Sequence, residues 1–128
     1  MSKAVLDASA LIALIFREPG SEALTSRLMS TAMTSAVNLA EVHGRLIRSG
    51  FSLDDAWTAT NEPVHEVVPF TAEQAKTAGD LTLQNRPLGL SLGDRACLAL
   101  ALSMKSPVYT TDRSWSKLDL GIRIHVIR

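Results

Sequence analysis

The sequence predicts an α/β fold, a single domain with a parallel β-sheet flanked by helices on both faces. Three observations carry this. Short apolar, β-prone runs alternate along the chain with segments of helical period, the pattern of βαβ crossovers. One of those segments, residues 92–104, is apolar on all sides, as a helix buried within the domain must be. The chain has 128 residues, 46% of them hydrophobic, which suits one compact core. No internal repeat, linker or low-complexity stretch divides it.

The first strand is the run Ala4-Val5-Leu6, which stops at Asp7. Residues 8–16 are almost wholly apolar and end at Arg17-Glu18-Pro19-Gly20, so they read as a short buried helix closed by a turn. Ser21 is placed to cap a second helix through about residue 30, with Ala23, Leu24, Leu28 and Met29 inward. A short strand over 31–35 follows. From 36 to 48 the period is helical: Leu39, Val42, Leu46 and Ile47 share one face, and Asn38, Glu41, Arg45 and Arg48 share another. Ser35 is its natural N-cap and Gly50 closes it. Ser52 with Asp55 forms a capping-box pattern for a helix through about residue 60 that contains Trp57. Residues 65–70 read as a third strand, Thr71 with Gln74 opens a helix to about residue 84, and 85–89 is a loop. Ser106-Pro107 ends the apolar helix, a strand over 107–111 follows, and Gly121 precedes a last strand over 123–127.

Lys and Arg total 13 and Asp and Glu total 13, so no global basic field advertises nucleic-acid binding. Any nucleic acid must be held locally. Cys97 is the only cysteine, which excludes an intrachain disulfide and argues against a cysteine zinc site; it reads as a small buried hydrophobe. Met1-Ser2-Lys3 leads straight into a strand, and no run approaches the roughly 20 apolar residues of a membrane span. A soluble, cytoplasmic protein with no membrane partner is expected.

Four acids stand out by position. In an open α/β sheet, ligands gather outside the carboxyl ends of the strands. Asp7 and Asp112 end the two strongest strands, Asp94 opens the apolar helix, and Glu41 lies in the second turn of its own helix. Each has a structural explanation. Asp7 can cap the helix after it, Glu41 can pair with Arg45, Asp94 completes a capping box with Ser91, and Asp112 can cap the turn at Arg113-Ser114. Topology nonetheless sends all four to one edge. If they converge, two charges about 5 Å apart repel by roughly 3 kcal/mol at an effective dielectric near 20. Either some are protonated with raised pKa values or a cation neutralises them, and oxygen ligands select Mg²⁺ or Mn²⁺. Such an ion activates water and stabilises charge on a phosphate, which suits phosphodiester cleavage. Ser9 and Thr111 neighbour strand-end acids, and Asn38 sits one turn before Glu41 on the same face. Arg95, Arg113 and Lys117 flank the acids and are candidates for phosphate contacts, surface solvation explaining them about as well. His43 falls on the apolar side of its helix, a packed or interface position. His65 and His125 have no acid or cysteine at ligand spacing.

Four segments in order, Val5-Leu6-Asp7-Ala8-Ser9, Ser35-Ala36-Val37-Asn38-Leu39-Ala40-Glu41, Leu90-Ser91-Leu92-Gly93-Asp94-Arg95-Ala96 and Thr110-Thr111-Asp112-Arg113, make the chain resemble PIN-domain ribonucleases. Within that family it is most similar to the VapC toxins of toxin-antitoxin pairs. The resemblance spans nearly the whole chain. It implies that Asp7, Glu41, Asp94 and Asp112 form an acidic metal site, supported by Ser9, Asn38 and Thr111. It also implies an Mg²⁺- or Mn²⁺-dependent endoribonuclease that acts on RNA as a homodimer and meets DNA only through its cognate antitoxin. That antitoxin lays an extended or helical segment over the active-site groove. A receiver domain fits poorly, since Asp7 has no acidic neighbour and no strand-end Lys follows. A haloacid dehalogenase phosphatase fits poorly too, since Ser9 stands where its second Asp belongs. The stronger rival is a binding module of the same fold that acts only through its protein partner.

Overall fold

The computed structural model describes residues 3–85 and 88–128. Five short strands, β1 (Val5–Leu6), β2 (Met33–Ser35), β3 (Glu66–Val68), β4 (Val108–Thr110) and β5 (Ile124–Val126), form one sheet in the order β3-β2-β1-β4-β5. Every pairing is parallel, with Leu6 opposite Tyr109, Met33 opposite Glu66 and Tyr109 opposite His125. Between the strands lie helices α1 (Ala8–Ile15), α2 (Ser26–Met29), α3 (Ala36–Arg48), α4 (Leu53–Asn61), α5 (Ala72–Asp80), α6 (Thr82–Asn85) and α7 (Leu92–Met104).

Successive strand residues point to opposite faces, so the two residues of β1 divide the core. Leu6 packs with Leu11, Ile12, Val42, Leu46 and Ala56 of α1, α3 and α4. Val5 packs on the other side with Leu98, Leu100, Val108 and Trp115. The predicted layering, a parallel sheet with helices on both faces, is what the chain forms. As expected, α7 is the buried helix: Gly93 and every residue from Ala96 to Ala101 are inaccessible.

The capping residues foreseen for three helices act as such. Ser35 accepts from the Val37 amide, Ser52 from Asp55 and Thr71 from Gln74. Two segments differ from expectation. Residues 21–30 are not one helix, because Ser21–Ala23 is a single 3₁₀ turn entered through Gly20 and the chain leaves helical angles at Leu24. Thr25 then caps α2 by accepting from the Leu28 amide at 3.2 Å. Leu24, Leu28 and Met29 still face the core, but Ala23 is exposed. The helix after Thr71 likewise stops at Asp80, and the chain restarts at Thr82, whose hydroxyl bonds the Gly79 carbonyl at 2.8 Å. Arg86 and Pro87 of the predicted 85–89 loop lie outside the described residues. Trp57 is half exposed, its ring edge-on to His43 at 5.1 Å between centroids, whereas Leu11 is fully buried. Among the described residues no helix is long and apolar enough to cross a membrane.

The strand order reverses direction at β1, with β2 on one side and β4 on the other. The crevice beyond the ends of β1 and β4 is therefore where an open α/β sheet presents its site.

Candidate active site

Asp7 is the first residue beyond β1, and its backbone amide still bonds the Tyr109 carbonyl at 3.2 Å. This holds the carboxylate at the crevice between β1 and β4, where it is 4% exposed. One oxygen accepts from the Ala10 amide at 2.8 Å and the Ser9 hydroxyl at 2.7 Å; the other accepts from the Thr110 hydroxyl at 2.6 Å. The N-cap role is real. Burial raises the Asp7 carboxyl from 3.8 to about 6 despite these hydrogen bonds, and the negative charge of Asp94 adds to the rise.

The hydroxyls that hold Asp7 also tie in the end of β4. Thr110 Oγ1 accepts from the Asp112 amide at 3.1 Å, and Ser9 Oγ accepts from the Thr111 amide at 3.0 Å. Asp112 caps a 3₁₀ turn over Arg113–Lys117, its Oδ1 accepting from both the amide and the hydroxyl of Ser114 at 2.9 and 2.7 Å.

Glu41 and Asp94 approach from the two long helices. Asn38 Nδ2 donates to Glu41 Oε1 at 2.9 Å and to the Gly93 carbonyl at 3.1 Å, joining α3 to the start of α7. Gly93 leaves the room that Glu41 occupies, since a Cβ there would overlap its carboxylate. No Glu41–Arg45 ion pair forms; Asn38 is the partner instead. Asp94 makes the full capping box, Oδ2 accepting from the Ser91 amide at 2.9 Å and its own amide donating to Ser91 Oγ at 3.1 Å. Beneath them, on the next turn of α7, lies Cys97. Its thiol is fully buried and pushed well up by burial and then by the charges of Asp7, Asp94 and Glu41.

The charges of Asp7, Asp94 and Glu41 are all felt at the buried Cys97 thiol, and the backbone of Asp112 is bonded to the Asp7 network through Thr110. As the side chains stand, no three His, Cys, Asp or Glu among the described residues form a group that could hold a metal ion. Asp94 and Asp112 each have one oxygen committed to a cap, and the other has no hydrogen bond among the described residues. Arg95 is turned to the domain interior, with Nη1 on the Ala78 carbonyl at 3.0 Å. Arg113 Nε bonds the Arg128 carbonyl at 3.1 Å, and Lys117 is exposed on the 3₁₀ turn.

Two residues of this network were not singled out in the sequence. Thr110, rather than Thr111, places its hydroxyl on Asp7. Strand alternation carries the signal, because Thr110 shares a face with buried Val108. The other is Gly93, whose role rests on the position of Glu41.

A PIN-domain family model matches residues 4–120. The chain belongs to the PIN-domain family. Solved structures agree with this fold along almost the whole chain. The DNA-bound VapBC of Salmonella typhimurium is 19% identical with a TM-score of 0.75, the alignment covering 97% of each chain. VapC20 of Mycobacterium tuberculosis, a toxin that cleaves the sarcin-ricin loop, is 20% identical with a TM-score of 0.71 over 94% of this chain and 98% of that one. A member of the VapBC family from the same organism, VapBC-5, is 25% identical with a TM-score of 0.60 over 98% of each. No curated protein matches the sequence.

Proposed function

We propose that this PIN domain is a VapC-type toxin, an Mg²⁺- or Mn²⁺-dependent endoribonuclease. The observation that carries the reading is Asp7: a carboxylate buried at the switch point of the sheet, held by three donors and facing Asp94. Burying a charge is costly unless something compensates it. A structural cap alone gives no reason to set a second acid, Asp94, against that buried carboxylate.

The donor set is all oxygen, which fits a hard divalent cation. Mg²⁺ is commonly held by one or two carboxylates and completes its shell with water. A site with Asp7 at its centre and single uncommitted oxygens on Asp94 and Asp112 suits that habit better than a cage of direct ligands. When bound, such an ion supplies positive charge at a phosphate oxygen and acidifies the water beside it. The chain's own contribution is positioning. Ser9 and Thr110 fix the plane of the Asp7 carboxylate, Asn38 fixes Glu41, and Thr111 fixes Ser9 through its amide.

By the same reading the protein works in the cytoplasm as a homodimer. A cognate antitoxin covers the groove and contacts DNA on the toxin's behalf. The VapBC complexes among the structural neighbours, two of them DNA-bound, support an antitoxin partner.

Purified protein freed of any inhibitor is expected to cut RNA when Mg²⁺ or Mn²⁺ is added. Asp7→Asn and Asp94→Asn should each abolish cleavage while circular dichroism stays native. Asn variants that cut like the wild type would refute the site. A folded wild type that leaves RNA intact would favour the binding-module reading.

A further inference from the structure

Beside the acids an open cleft of about 310 Å³ runs along α3, lined by Ser9, Thr111, Glu41, Arg45, Arg48 and Arg128. Ser9 and Glu41 belong to the acidic network itself, so cleft and site are continuous. Arg45 and Arg48 follow Glu41 by four and seven residues on one helix face. At 1.5 Å per residue they stand about 6 and about 10 Å further along the axis.

The three arginines are not equivalent. Arg128 is neutralised by Glu18 at 3.0 Å. Arg45 and Arg48 take part in none of the ion pairs among the described residues, although both are exposed. Glu18 and Glu41 also line the cleft, so its three arginines leave one net positive charge, and Arg45 and Arg48 supply its cations outside any ion pair among the described residues. Arg95, by contrast, is occupied with the Ala78 carbonyl.

Resting on the nuclease reading, we infer that Arg45 and Arg48 bind the phosphates next to the cleaved bond, so that the substrate strand lies along α3. Guanidinium groups suit this task, because their planar fork matches two phosphate oxygens at once. The contacts are to backbone and carry no base preference. RNA is favoured over an acidic protein segment because the cleft is continuous through Ser9 with Asp7, the carboxylate at which the nuclease reading places the reacting phosphate.

The test is fluorescence anisotropy with a short labelled single-stranded RNA in an Asp7→Asn background, titrated over a range of salt. Each phosphate contact on a single strand contributes about 0.7 to the slope of log affinity against log salt, so Arg45→Ala/Arg48→Ala should flatten that slope by about 1.4. Lys at both positions should largely restore it. In the cleaving protein the double Ala variant should raise KM and leave kcat near wild type. An unchanged slope and KM would overturn the proposal. So would loss of binding to poly-glutamate with RNA binding intact, which would assign the arginines to an acidic protein partner. A wild type that cuts nothing, yet binds RNA with an arginine-dependent slope, would sink the nuclease reading and leave Arg45 and Arg48 as phosphate contacts.

Discussion

At the scale of single residues, Asp7 ties stability to pH with a definite sign. Its carboxyl sits at about 6 in the folded chain and at 3.8 when free. Between those values the folded state keeps a proton that the unfolded state has lost, so raising pH through this window destabilises the ion-free protein. The full penalty, reached above about pH 6, is about 3 kcal/mol. Asp7→Asn keeps an acceptor for the Ala10 amide and removes the charge. In chelator, urea unfolding should find the Asn variant more stable than wild type at neutral pH and nearly equal at about pH 4. Added Mg²⁺ should stabilise only the wild type, and only above the window. An Asn variant weaker than wild type at neutral pH would mean that the caps, not the buried charge, dominate at this position. The positions of Asp7, Asp94 and Asp112 were legible because each stands at a strand end or a helix start, and that of Glu41 because it lies in the second turn of α3. Which hydroxyl serves Asp7 was not, because Thr110 and Thr111 differ only in strand register, and that is fixed by the pairing of β4 with β1 and β5.

At the scale of elements, the site depends on α3 and α7 meeting where Asn38 bridges Glu41 and the Gly93 carbonyl. Gly93→Ala isolates that contact. Ala favours a helix over Gly by up to about 1 kcal/mol, so α7 should not suffer. The new Cβ would claim the space of the Glu41 carboxylate, whose flexible end must swing away. The expected result is an unfolding midpoint equal to or above wild type with RNA cleavage reduced at least about tenfold, the equivalent of 1.4 kcal/mol in the barrier. Unchanged cleavage would show that Glu41 need not rest on Gly93. Elements with a side-chain cap followed by a clean helical period, such as α3 and α7, were readable to the residue. The two misread helices fail at different ends, the first at its cap and the second at its C-terminus. Ser21 precedes apolar residues at helical spacing, yet Thr25 provides the cap and buried Leu24 pulls the chain out of helical angles. In α5, Gly79 and the Thr82 hydroxyl bond to its carbonyl end a period that the apolar pattern alone would continue.

At the scale of the whole molecule, the parallel sheet was legible from alternating strands and helices, but the order β3-β2-β1-β4-β5 is a tertiary outcome. It puts β1 in the centre and leaves β5, the last strand, to close one edge. That edge is fastened to the distant turn after α1. Gly20 adopts φ +94, and a Cβ there would collide with the Ile127 carbonyl oxygen. Beside it Arg128 pairs with Glu18 at 3.0 Å. Gly50 has a similar φ of +104 with nothing within 4 Å of where its Cβ would be. The two glycines therefore separate backbone strain from tertiary closure. Gly50→Ala should lose about 1 to 2 kcal/mol, the cost of placing an L residue in the left-handed region. Gly20→Ala bears the same cost and must also force apart two rigid backbone segments, because the colliding atom is main chain and cannot rotate away. Its unfolding midpoint should fall further than that of Gly50→Ala, and in hydrogen exchange the amides of β5 should be the first to lose protection. Equal losses in the two variants would mean that the Gly20 to Ile127 approach contributes nothing to holding the sheet edge, and that β5 is kept in place by its pairing with β4 alone.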